Sequence, residues 1–140
     1  MKKALLTCGL LLSLAVQAHA NDLNADEQRM VEWIDANAEA AIALLEETVN
    51  ISSGTMNHDG VREVGVVMRR ELDAVGLDTE WIDMSETNRA GHLFGRKLSG
   101  DGKRFLLIGH LDTVFEADDA FQAFERDGNT AKGPGVEDMK

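Results

Sequence analysis

The sequence has 140 residues, of which 25 are acidic and 14 basic, so its formal net charge is −11 at pH 7. This balance argues against nucleic acid and anionic membrane surfaces as partners, because both bind cationic patches. The one cysteine, Cys8, lies in an N-terminal segment that we expect to be removed, so a metal site in the mature chain would use His, Asp and Glu.

The N-terminal segment, residues 1–20, has the pattern of a secretory signal peptide. Two lysines precede an uncharged apolar stretch from Ala4 to Val16, and Ala18-His19-Ala20 forms a small-x-small cleavage site. The stretch is short for a bilayer span. We expect cleavage after Ala20, a periplasmic or secreted mature chain and no membrane attachment. The alternative, a lipoprotein signal at Cys8, leaves about four apolar residues where roughly 7–15 are usual.

Two amphipathic helices are predicted in the first part of the mature chain. Apolar residues spaced three and four apart mark the first helix, from Asp26 to about Val49: Met30, Ile34, Ala38, Ala41 and Leu45. The same spacing marks the second helix through Val61, Val64, Met68, Leu72 and Val75. Gly76 follows at the position where a left-handed C-terminal cap is favoured.

Strands are predicted after the helices. The candidates are Leu77–Met84, His92–Leu98 and Lys103–Gly109. The turn Ser99-Gly100-Asp101-Gly102 predicts that the second and third candidates form a hairpin. Within the third, Phe105–Ile108 is apolar without alternation, which is typical of a strand covered on both faces. The order of elements predicts one α/β domain with a mixed sheet, residues 21–140.

A histidine and an aspartate follow the third strand candidate directly. His110 and Asp112 would lie at the carboxyl end of that strand, where open α/β sheets place their ligand sites. Residues two apart point the same way on a strand, so Asp112 could accept the second ring N–H of His110 and fix its tautomer for a metal. The alternative is a histidine at a strand end and an aspartate opening a turn, without metal.

A glycine-rich turn delivers a second carboxylate about two dozen residues later. Gly133-Pro134-Gly135 predicts a tight loop with Asp138 at its far end. A carboxylate has two oxygens and can bridge two metal ions, which a neutral histidine cannot do. An ordinary Pro-Gly turn followed by solvated acids is the alternative. The two motifs in this order favour a metal site, and imidazole with carboxylate suits zinc.

Together, His110–Val114 and Gly133–Lys140 resemble the paired signature of the co-catalytic zinc peptidases, which include glutamate carboxypeptidases, acetylornithine deacetylases, succinyl-diaminopimelate desuccinylases and aminoacylases. The likeness extends upstream through Val49–Thr55 and the second helix. It implies the N-terminal part of an α/β/α sandwich with a mixed sheet, incomplete in this chain. It also implies an exported, zinc-dependent amide or peptide hydrolase that acts on a small peptide or an N-acyl amino acid, with two Zn²⁺ ions or Co²⁺ as a substitute.

The resemblance assigns roles to three residues of this chain. His110 becomes a zinc ligand, Asp112 the catalytic-site carboxylate that orients the His110 ring, and Asp138 the carboxylate bridging the two metals, followed by a cis peptide bond. The remaining ligands, the general base and the domain for any homodimer would lie beyond Lys140. We therefore expect these residues alone to bind zinc weakly and hydrolyse nothing. The alternative is an inactive truncated remnant or an acidic binding protein.

Overall fold

The structure is a computed structural model that describes residues 23–98 and 102–138. The predicted signal peptide with its cleavage site, residues 99–101 of the predicted turn and the bond after Asp138 lie outside this range. By its internal contacts the chain divides into two units, Met1–Ala36 and Asn37–Lys140. The elements are helices α1 (Ala25–Val49) and α2 (His58–Ala74), a short 3₁₀ turn (Ser85–Thr87), and strands β1 (Asp78–Asp83), β2 (Gly91–Arg96), β3 (Glu125–Asp127) and β4 (Thr130–Lys132).

Helix α1 begins with reciprocal hydrogen bonds that cap its first turn. The Asn24 Oδ1 atom accepts from the main-chain N–H groups of Asp26 and Glu27, at 2.9 and 3.0 Å. The Glu27 Oε2 atom accepts from the Asn24 main-chain N–H at 2.8 Å. These bonds satisfy donors that have no partner inside the helix. The predicted first helix is confirmed. Within the described residues, no helix is both long and apolar enough to cross a bilayer.

Helix α2 is also confirmed, together with its predicted glycine terminus. The Asn57 side chain caps its start by accepting from the Gly60 N–H at 3.3 Å. At the other end Gly76 has a φ of +76°, and the Leu77 N–H donates to the Leu72 carbonyl at 3.0 Å. This is the left-handed ending that glycine adopts without a steric penalty.

The core of the second unit lies where α2 meets β1 and β2. Val61, Val64 and Val67 are buried on the inner face of the helix. The Trp81 ring of β1 fits between two glycines, because a Cβ atom at Gly65 would lie 2.5 Å from it and one at Gly91 would lie 2.7 Å from it. The helix and the strands approach closely only because both glycines lack a side chain.

The strands of the described residues form two small antiparallel sheets. β1 pairs with β2 over its full length, from Asp78 opposite Arg96 to Asp83 opposite Gly91. β3 pairs with β4 in a hairpin around Gly128, whose φ is +57°. Among the described residues, Gly54 and Thr113 also form an isolated parallel β-bridge. The structure is therefore mixed α/β, as predicted, but its described residues do not form the predicted three-layer sandwich with a mixed sheet.

The predicted hairpin between His92–Leu98 and Lys103–Gly109 is wrong. β2 pairs with β1 instead, and residues 103–110 form no strand. The prediction of burial is also wrong, because the side chains of Phe105 to Ile108 are between 81% and 93% exposed. An exposed extended segment satisfies its N–H and C=O groups with water as well as with a neighbouring strand. An apolar run predicts burial, but it does not specify which strand or helix would cover it.

Candidate metal centre

The segment that carries His110 is joined to the loop between α1 and α2. The Thr113 N–H donates to the Ser53 carbonyl at 2.9 Å, and the Thr55 N–H donates to the Thr113 carbonyl at 3.0 Å. Gly54 also lies close to the main chain that follows Thr113, because a Cβ atom on Gly54 would be 2.6 Å from the Glu116 Cα atom. Two parts of the chain that are far apart in sequence are thus held together beside the candidate ligands.

The His110 ring has oxygen atoms at both of its nitrogens. Its Nδ1 atom lies 2.9 Å from the Asp112 main-chain oxygen and 3.3 Å from the Asp112 Oδ1 atom. Its Nε2 atom lies 3.3 Å from the Asp138 Oδ1 atom. A carbonyl and an ionised carboxylate only accept hydrogen bonds. Because Nδ1 has two such oxygens near it and the shorter contact, we assign the proton of the neutral ring to Nδ1. The neutral ring would then present the Nε2 lone pair towards Asp138.

Asp138 reaches this position through the glycine-rich turn. Gly135 has a φ of +81°, and its carbonyl accepts from the Asp138 N–H at 3.1 Å. A Cβ atom at Gly133 would lie 2.5 Å from the Val49 Cγ1 atom, at the buried end of α1. Gly135 therefore supplies a left-handed backbone conformation, and Gly133 allows the loop to approach Val49 closely.

The separation of His110 and Asp138 fits two ligands of one zinc ion. Ligand atoms about 2.0–2.2 Å from zinc, at a tetrahedral angle, lie about 3.3–3.5 Å apart. The observed distance between Nε2 and Oδ1 is 3.3 Å. Asp112 faces the opposite edge of the ring, so it cannot bind the same ion. Accordingly, residues 23–98 and 102–138 contain no group of three or more His, Cys, Asp and Glu side chains arranged to hold a metal.

The surroundings of His110 favour its protonated form. Partial burial lowers the pKa of the ring, but the hydrogen bonds to the Asp112 carbonyl and the Asp138 carboxylate, with the charges of both aspartates, raise the pKa above its ordinary value of 6.5. Without metal, a proton on Nε2 can donate to Asp138. A metal ion would therefore displace that proton when it binds.

Thr55 is the residue of this centre that the sequence did not reveal. Its Oγ1 atom donates to the Asp112 Oδ2 atom at 2.6 Å, across 57 positions of the chain. A threonine in a polar loop gives no local pattern that indicates such a partner. Only the resemblance of Val49–Thr55 to the zinc peptidases drew attention to this loop, without assigning Thr55 a role.

The chain is similar to one curated protein, carboxypeptidase G2 from Pseudomonas sp. (strain RS-16). The two are 33% identical over 107 residues, which cover 72% of this chain and 25% of the relative. The chain thus spans about a quarter of the length of the curated relative that it matches. No family model and no solved structure matches the chain. It is a distant homologue of carboxypeptidase G2 and, through it, a relative of the co-catalytic zinc peptidases that its two motifs resemble.

Proposed function

We propose that this chain forms part of the catalytic domain of an exported, zinc-dependent amide or peptide hydrolase of the carboxypeptidase type. The observation that carries the proposal is the 3.3 Å separation of the His110 Nε2 and Asp138 Oδ1 atoms. The substrate class proposed is a small peptide or an N-acyl amino acid. The homology to carboxypeptidase G2 supports the direction of the proposal.

The described residues would perform two tasks at such a centre. His110 and Asp138 would each give one donor atom to the metal, and Asp112 would hold the proton on Nδ1 of the His110 ring. A bound zinc ion supplies Lewis-acid polarisation of a carbonyl and lowers the pKa of a water ligand to roughly 7. The centre is open to a substrate, because the side chains of His110 and Asp138 are 44% and 78% exposed.

Two protein donors are fewer than the roughly four ligands that zinc prefers. We propose that the other ligands and the general base come from parts of the protein beyond these residues. The chain on its own should then bind zinc more weakly than structural zinc sites, whose apparent binding free energies are about 10–16 kcal/mol. It should also show no amide hydrolysis without those further parts.

Calorimetric titration of the purified chain with Zn²⁺ tests the proposed ligands. We expect weak binding that is abolished in His110→Ala and strongly reduced in Asp138→Asn. Two matched substitutions of exposed residues, His92→Ala in β2 and Asp118→Asn in the loop before β3, should leave binding unchanged. Cobalt titration followed by visible absorbance gives an independent measure, since Co²⁺ reports its ligand geometry.

Two results would overturn the proposal: no binding by the unaltered chain, or equal binding by all four variants. Tight binding of two ions with amide hydrolysis would instead contradict the expectation that these residues supply only two donors. Reading the gene beyond the codon for Lys140 addresses the alternative of an inactive remnant or acidic binding protein. A continuation with Gly-Gly and then Glu-Glu supports the hydrolase.

A further inference from the structure

We propose that Thr55 is a positioning residue for the candidate metal centre, whose hydroxyl holds the Asp112 carboxylate against the His110 ring and so keeps Nε2 directed at Asp138. The inference rests on the proposed function, because the consequence of this positioning is the binding of metal. The contacts that carry it are the hydrogen bond from Thr55 to the Asp112 carboxylate, the approach of that carboxylate to Nδ1 of His110 and the approach of Nε2 to Asp138.

The first step concerns the single proton of the Thr55 hydroxyl. The Oγ1 atom lies 2.6 Å from the Asp112 Oδ2 atom and 3.2 Å from the Thr113 carbonyl oxygen. Bonds to an ionised carboxylate are shorter and about twice as strong as bonds between neutral groups. The proton therefore goes to Asp112, where the distance is shorter and the acceptor is charged.

The second step concerns the two oxygens of Asp112. Oδ2 is held by Thr55, while Oδ1 lies 3.3 Å from the Nδ1 atom of His110. Rotation of the carboxylate away from the ring would break the bond to Thr55. The Asp112 side chain is 32% exposed, so water competes only partly for these oxygens. Without the hydroxyl, the carboxylate is free to turn towards solvent.

The third step is that the position of Thr55 does not depend on its own hydroxyl. Its N–H donates to the Thr113 carbonyl, and the neighbouring Ser53 is 1% exposed. The Asn57 Nδ2 atom donates to the Ser52 carbonyl at 2.6 Å on the other side of the loop. Thr55→Val preserves the shape of the side chain and these main-chain bonds, so it removes the hydroxyl and little else.

Nitrogen-detected NMR of the His110 ring in the metal-free chain, at a pH where the ring is neutral, tests the proposal. We expect predominantly Nδ1–H in the unaltered chain and a larger share of Nε2–H in Thr55→Val, where the Asp112 main-chain oxygen would be the acceptor left at Nδ1. Thr55→Ser should restore the original share of Nδ1–H. Zinc affinity should fall about threefold to tenfold in Thr55→Val, because changes to residues that contact a ligand directly cost roughly 10- to 100-fold and Thr55 acts one bond further out.

Thr79→Val is the matched control. Its Oγ1 atom donates to the Asp73 Oδ1 atom at 2.6 Å, so it removes a threonine–carboxylate bond of the same length away from the centre. The control should change neither the His110 tautomer nor zinc affinity. Thermal melting checks that every variant folds.

The proposal is overturned if Thr55→Val keeps the original share of Nδ1–H, or if Thr79→Val changes it equally. Failure of the proposed function would look different. If the unaltered chain binds no zinc while Thr55→Val still shifts the His110 tautomer, the positioning role stands and the hydrolase assignment falls.

Discussion

The His110 ring lies between two aspartates that act on different nitrogens. Asp112 accepts from Nδ1 and Asp138 faces Nε2. The contact at Nδ1 selects a tautomer. At Nε2, the ring and Asp138 can share either a proton or a metal ion. The same two contacts that favour a metal therefore also favour the imidazolium when no metal is present.

An NMR titration of His110 in the metal-free chain should have its midpoint above 6.5, because the Asp112 carbonyl and the Asp138 carboxylate raise the pKa of the ring against the opposing effect of burial. Asp138→Asn should lower that midpoint. A raised pKa in the folded state means that the interaction stabilises the fold below the ordinary pKa and is lost as the pH rises through the raised value. The gain should be small, since the Asp138 side chain is 78% exposed.

Asp118→Asn is the control for this titration, because it removes an exposed carboxylate from another loop and should leave the His110 midpoint in place. An unchanged midpoint in Asp138→Asn would show that the Nε2 contact does not exist in solution.

The packing of α2 on β1 depends on a glycine facing a tryptophan. Gly65→Ala should lower the free energy of unfolding, because the new methyl group meets the Trp81 ring at 2.5 Å and Gly91 blocks the ring on its other side. Overpacking of this kind costs about 1–3 kcal/mol. Replacing a helical glycine with alanine offsets about 1 kcal/mol. Chemical denaturation should therefore show a net loss of up to about 2 kcal/mol.

Gly102→Ala provides the comparison for that variant, since a Cβ atom there has no neighbour within 4 Å. Its stability should match that of the unaltered chain. A Gly65→Ala variant as stable as Gly102→Ala would mean that the helix and the sheet are not in contact as described.

The helices were predictable because their pattern is local. Spacings of three and four residues locate α1 and α2, and Gly76 marks the end of α2. The strands β1 and β2 were also located, but their pairing was not, because an apolar run such as Phe105–Ile108 carries no information about its partner. The ligand roles of His110 and Asp138 remain predictions, although the structure brings the two side chains together. The contact of Thr55 with Asp112 could not be predicted, because the two residues are distant in sequence.

At the scale of the whole molecule, the apolar run Phe105–Ile108 stands out. Leu107 is 93% exposed, and its three neighbours in the run are exposed as well. Exposed runs of this kind bind other apolar surfaces and promote association of chains. The formal net charge of −11 opposes association through mutual repulsion, so salt should weaken that opposition.

Leu107→Glu should reduce self-association and the binding of an apolar fluorescent dye, because it places a charge in the middle of the run. Light scattering over a range of protein and salt concentrations measures the first effect. Leu98→Glu is the comparison, since Leu98 is 76% exposed but lies outside the run. Equal effects of the two substitutions would contradict a role specific to Phe105–Ile108.

The parallel bridge between Gly54 and Thr113 has a consequence for the order of folding. It closes a loop of nearly sixty residues, and such closure costs more entropy than the formation of a helical turn or a hairpin. His110 and Asp112 can therefore take up their final arrangement only after the helices and the first sheet exist. Pulse-labelled amide hydrogen exchange during refolding should then show that the Thr55 and Thr113 N–H groups become protected after those of the helices and of β1 and β2. A competent centre should appear together with that protection.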